Sequence, residues 1–282
     1  MGVNPKVREA LMFWINYSKD VMIKNMEFLL NRYRDVIGSC YDLFNDVINI
    51  ESWIAPNKSM DESKRMGMVI KYLMYPMLIH VIYPNLNFLC IEIMLGAIPQ
   101  AFYTLRIILE AFVIALYADT KEELKNLVSY EKVEHESVRN ATVFGVKDHI
   151  LKVLTKVFGD REGREWLKYI LELYQAISAW VHPVARIKLD KEKEIAAGVL
   201  RAIMITVAQR GVPPSYGLVI PMEYDEEDLD DLKHLNEIIK HTRLAITMTA
   251  YTWSINKNVA DREALRKRFE ELSKVIQSSQ SS

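Results

Sequence analysis

Residues 98–118, Ile-Pro-Gln-Ala-Phe-Tyr-Thr-Leu-Arg-Ile-Ile-Leu-Glu-Ala-Phe-Val-Ile-Ala-Leu-Tyr-Ala, decide the fold class. Wound at about 100° per residue, the run is apolar on nearly every side. A helix that is apolar all round is a buried one. Arg106 and Glu110 interrupt it as neighbours on one face, with Tyr103 and Tyr117 at the edges of that face. The expectation is that two charges enter a place that excludes water. A membrane span needs about 20 consecutive apolar residues and tolerates central charges poorly. Glu92, Arg106 and Glu110 recur too often and Pro99 interrupts the run, so the stretch reads as the core helix of a protein that meets no membrane.

Upstream, apolar residues fall at helical spacing from Lys6 to about Asn49, with Gly38-Ser39 as the expected break. Trp53 to Lys58 is a connector. Ser59 and Glu62 form an expected capping box for a helix that runs to about Tyr83 with a bend at Pro76, and Pro84 leads into the central stretch. Downstream, Asp119 and Thr120 precede a polar surface helix from Lys121 to about Val138. Lys147 to Phe158 is a short helix between Gly145 and Gly159, and Asp160 caps another that Pro183 stops. A helix over Lys191 to Gln209 follows, then the irregular run Gly211 to Tyr224. Asp225 opens a long helix to about Asn258, Asp261 starts a last short one, and Gln277 to Ser282 should fray. No convincing strand pair, repeat or flexible linker occurs. The chain therefore reads as all-α, an irregular multi-helix bundle of about eight to ten helices in a single domain over residues 1–276 with a disordered tail over 277–282.

A formal net charge of -1 on 282 residues removes any strong global case for nucleic acid or an anionic membrane, although a local basic patch remains open. Cys40 and Cys90 lack CxxC spacing and read as buried small apolar residues. The N-terminus has no signal-peptide core, so a cytoplasmic protein is expected, and the ion-rich, amide-poor composition leans towards a thermophile. No P-loop, GxGxxG, GxSxG or HExxH is present and the Glu-x-x-His pairs of di-iron bundles are missing, so no cofactor is expected.

Two polar stripes carry what chemistry the sequence offers. Tyr174, Ser178 and His182 recur at steps of four along one helix, and Arg106 with Glu110 make a matching stripe on the central one. If the helices pack face to face, Glu110 can orient His182 while the planar fork of Arg106 holds an anion. The same residues also suit a structural network in which a buried Arg and Glu satisfy each other and the tyrosine hydroxyls.

The segments Leu105-Arg-Ile-Ile-Leu-Glu110 and Tyr174-Gln-Ala-Ile-Ser178-Ala-Trp-Val-His182-Pro resemble a group of HEPN-like helical proteins of prokaryotes, some associated with phage defence. The resemblance implies an all-helical domain. Its ribonuclease members carry a catalytic Arg followed closely by His, a spacing this chain lacks, since Arg139 and His149 stand too far apart.

His234, Glu237 and His241 share a helix face with metal-ligand spacing, but the apolar residues of that helix centre elsewhere. Solvent exposure is expected and no metal site is assigned. Arg262, Arg266, Lys267 and Arg268 are interleaved with acids and read as a solvated face. The sequence thus suggests a regulatory or defence protein that binds a small anionic ligand through Arg106, Glu110, Tyr174, Ser178 and His182. One alternative makes the same pocket a hydrolase or nuclease site with His182 as acid or base. The other is a homodimer module built on the aromatic and Met side chains around Trp14.

Overall fold

The structure, a computed structural model, describes residues 5–181, 221–255 and 257–280. Among them there is no strand, and nine helices have seven residues or more. The expected helix over Lys191 to Gln209, most of the irregular run before Tyr224, and His182 lie outside the described residues.

Helices α1 (Pro5–Arg32) and α2 (Asp35–Ile54) replace the single long helix expected there, and the break falls at Tyr33-Arg34 instead of Gly38-Ser39. Gly38 continues α2 because that helix must run unbroken to bury Cys40, Leu43, Val47, Ile50 and Ile54 on one face. Breaking at Tyr33 lets its hydroxyl share a 2.9 Å hydrogen bond with the Asn236 side chain. Helix α3 (Glu62–Lys71) is capped by Asp61, whose carboxylate accepts from Lys64 N at 2.9 Å. The expected cap, Ser59, instead donates through its N and its Oγ to Asn57 Oδ1, each at 2.9 Å, in a local turn. The chain then runs through α4 (Met74–Met77), a π-turn over Leu78–Ile82 that follows Pro76, and α5 (Tyr83–Met94).

Gly96 makes the turn between α5 and α6 (Ile98–Thr120) possible. Its φ is 73°, and a Cβ there would stand 2.1 Å from the Met222 carbonyl oxygen. This close approach lets Met222 N donate to Leu95 O at 2.9 Å and Tyr224 N donate to Asn25 Oδ1 at 2.8 Å, which ties the far end of the chain back onto α1 and α5.

As the all-round apolarity predicts, α6 sits at the centre, with Phe102, Leu105, Ile108, Leu109, Phe112 and Leu116 wholly buried. Both α4–α5 as one stretch, Met74–Met94, and α6 are long and apolar enough to cross a membrane. The α6 window is 72% buried inside the protein, as a core helix would be, and the other 33%. The polar segment expected as one helix is a 3-10 turn at Glu122–Leu124 followed by α7 (Ser129–Glu134) and α8 (Glu136–Arg139). Helices α9 (Lys147–Phe158) and α10 (Asp160–Val181) form a hairpin against α6 around Gly159, whose φ is 86°. After a 3-10 turn capped by Asp225, α11 (Leu229–Ser254) packs on α6, α2 and α12 (Arg262–Gln280). The last helix is 19 residues long, not short, and extends through most of the segment expected to fray.

An ion network fastens α2, α11 and α12 together. Asp46, 1% exposed, accepts from Arg243 Nε and from Arg268 Nε, each at 2.7 Å. Arg268 is therefore a structural clasp and not part of a solvated face, while Arg266 does pair with Glu263 and Glu270 at the surface. On α1, Phe13, Trp14, Ile15 and Tyr17 are exposed.

Candidate functional site

The two polar stripes meet through one residue. Helix α10 packs on α6 and brings the Tyr174 hydroxyl onto Glu110, to which it donates. The Arg106 guanidinium lies 4.9 Å from the centre of the Tyr174 ring, a cation–π stack, and Arg106 Nη2 stands 3.6 Å from Glu110 Oε1. Burial, reinforced by the Glu110 carboxylate, pushes the Tyr174 phenol up to about 12. The two charged side chains are 25% and 23% exposed, so the expectation that water is excluded from them is not met: α10 covers one flank of the pair and leaves the other wet. Ser178 Oγ is buried and has no hydrogen-bond partner among the described residues. His182, the intended acid or base, lies outside them.

The face of α11 carrying His234, Glu237 and His241 is not solvent-exposed as expected, because α10 lies across it. His234 stacks on Trp180 with ring centres 5.1 Å apart, and His241 Nδ1 shares a 2.7 Å hydrogen bond with the Tyr169 hydroxyl. Glu237 pairs with Lys240 at 2.7 Å. The three side chains therefore point to three different partners, and no cluster of three or more metal-ligating side chains forms among the described residues.

A second site has no counterpart in the sequence reading. Asp119, at the end of α6, is wholly removed from solvent and accepts four hydrogen bonds. Leu73 N and Trp253 Nε1 donate at 2.8 Å, Met74 N at 3.1 Å, and Lys132 Nζ at 2.8 Å. Two of these donors are orphan N–H groups at the start of α4, so Asp119 caps a helix remote in sequence. Lys132 also donates to Lys71 O at 2.9 Å, and its side chain is 0% exposed, although its polar neighbours suggested a surface helix.

Above this buried pair opens a cleft of about 800 Å³. Lys71 at the end of α3, Lys152 and Lys156 on α9, Lys125 after the 3-10 turn, and Lys257 beyond α11 all line it. Lys125 is paired with Glu122. Lys257 donates to Trp253 O at 2.6 Å and lies 4.4 Å and 5.2 Å from the ring centres of Trp253 and Tyr72. Burial pushes the Lys257 ammonium down to about 8. Among the described residues, Lys71, Lys152, Lys156 and Lys257 form no ion pair. At the cleft's edge His149 shares a 2.9 Å hydrogen bond with Thr120 Oγ1; burial, then Lys121 and Lys152, lower its pKa.

This arrangement concentrates uncompensated positive charge in a concave, partly desolvated place, where fields are focused and anions are favoured. No family model matches the chain, and neither a curated protein nor a solved structure was found to be similar to it.

Proposed function

We propose that this chain binds a small anionic ligand in the lysine-lined cleft, in a regulatory or defence role, defence being the association that some of the HEPN-like proteins it resembles have. One observation carries this reading: among the described residues, four lysines without ion-pair partners share the cleft with a single carboxylate, Asp119, whose acceptor capacity is already taken by Lys132, Trp253 and two backbone amides. Asp119 does not neutralise the cleft, because its charge is matched by the buried Lys132. An incoming anion would relieve the mutual repulsion of the ammonium groups, whose interaction energy near a protein surface is about 4 kcal/mol per pair at 4 Å and falls with distance.

The test is a titration with orthophosphate and sulfate followed by amide chemical shifts. Perturbations that gather on residues of α9 and around Lys257, and that vanish in Lys152→Glu/Lys156→Glu, support the reading. Perturbations at Arg106 and Tyr174 alone would move the anion to the other cluster. The absence of any saturable response would sink the proposal.

A further inference from the structure

Resting on the anion-binding reading, we infer that the ligand of this cleft is a chain of linked phosphoryl groups, an oligophosphate, and not a single phosphate or a carboxylate. The geometry of the lysines carries the step. Lys152 and Lys156 stand one turn apart on the same face of α9, separated by about 6 Å along the helix axis. Lys71 and Lys257 reach the same cleft from the ends of two other elements, and Lys257 is anchored there by the Trp253 carbonyl and two aromatic rings. The lysines thus line the cleft from three separate elements, and at about 800 Å³ it is larger than one phosphate fills.

Charge gives the same answer. Four ammonium groups that form no ion pair among the described residues call for several negative charges held at intervals, and a lysine engages phosphate as a point charge without demanding a planar, two-toothed partner. Carboxylate ligands are ordinarily recognised by the flat fork of arginine, and no arginine is among the described residues lining this cleft. Tyr72 already packs against the Lys257 ammonium and makes a T-shaped contact with Trp253, ring centres 5.4 Å apart, so this ring is engaged within the protein and is no free platform for a nucleobase. The recognition therefore reads phosphate spacing and not a base.

The experiment is calorimetric titration of the full chain at about 0.15 M salt, where exposed charges more than about 8 Å apart are largely screened. The probes are orthophosphate, inorganic tripolyphosphate and succinate. The expected result is saturable tripolyphosphate binding at least about tenfold tighter than orthophosphate, with succinate weaker still. Lys152→Ala/Lys156→Ala, on an exposed helical face where alanine is well tolerated, should lose most of that tenfold preference while keeping its circular dichroism and thermal midpoint. Equal affinity for orthophosphate and tripolyphosphate would overturn the oligophosphate inference and leave anion binding standing. Tight tripolyphosphate binding unaltered by the double variant would overturn it by placing the ligand elsewhere. No binding of any probe would remove both readings together.

Discussion

Lys132 Nζ lies 2.8 Å from Asp119 Oδ1, and neither side chain has any solvent exposure. The pair is not symmetric. Asp119 serves three further donors, Leu73 N, Met74 N and Trp253 Nε1, whereas among the described residues Lys132 has only the Lys71 carbonyl and the Tyr72 ring besides. Removing one partner of a buried pair strands the other charge and costs about 3–5 kcal/mol. Asp119→Ala should cost at least that, because it also leaves an indole N–H and two helix-start amides unpaired. Lys132→Met should cost less, since the carboxylate keeps three donors. Chemical denaturation of both variants checks the order, and a Lys132 variant as damaged as the Asp119 one would show that the ammonium, not the carboxylate, organises this junction.

The Arg106–Glu110 pair behaves differently because water reaches it. At 3.6 Å and about a quarter exposed, it belongs with surface pairs whose worth is about 0–1 kcal/mol. Arg106→Met/Glu110→Leu should therefore be as stable as the parent chain within about 1 kcal/mol, or more stable. Tyr174→Phe should cost about 1 kcal/mol by removing the hydroxyl that Glu110 accepts from. Urea midpoints of the two variants decide the matter, and a loss of several kcal/mol in the double variant would make the pair a true structural element.

What the sequence disclosed follows from which signals are local. The apolarity of α6 on every face is a property of consecutive residues, and it marked the core helix and the all-α class correctly. The two helical stripes of matching period identify Tyr174 and Glu110 as candidates but leave open whether they meet, because that depends on how α10 packs on α6. The break lies at Tyr33 and not at Gly38 because glycine propensity is a weak prior against the burial of a whole helix face. Lys132 was unreadable: Glu131, Glu134, His135 and Glu136 surround it with surface character, and its partners Asp119 and Lys71 come from other segments. The cleft was hidden for the same reason. Its lysines come from α3, the 3-10 region, α9 and the end of α11, and each looks like an ordinary solvated residue until tertiary packing brings them together.

Glu92 supplies a pH dependence of folding. It is 7% exposed, its Oε2 has no hydrogen-bond partner among the described residues, and burial raises its pKa from 4.5 to about 7, offset in part by Thr104. A carboxyl whose folded value lies above its unfolded one binds more protons when folded, so this group's contribution is most favourable below about 4.5 and is lost as pH rises to about 7. The span corresponds to on the order of 3 kcal/mol. Glu92→Gln, which cannot ionise, should be more stable than the parent at pH 8 and should lack this slope between pH 5 and 7. Stability curves for the two proteins that run parallel across that range would show that Glu92 is charged and satisfied in the folded chain.

Lys257 gives the last prediction, in binding and in folding together. Its folded-state value of about 8 lies below the ordinary lysine value because burial outweighs the attraction of Asp119. A base depressed in this way is unfavourable to folding while it is charged, so its cost is present below about 8 and fades as pH rises towards 10.5. An anion in the cleft favours the charged form, so binding near pH 8 should draw a proton onto Lys257, and affinity should fall as pH rises through about 8. Calorimetry of tripolyphosphate binding in buffers of different ionisation enthalpy measures that uptake directly. Lys257→Met should abolish the proton uptake while Lys152→Ala leaves it in place, because Lys257 is the cleft lysine that burial pushes down into this range. Proton uptake that survives Lys257→Met would assign the titrating group elsewhere, with His149, which shares the cleft's edge with Lys152, as the next residue to replace.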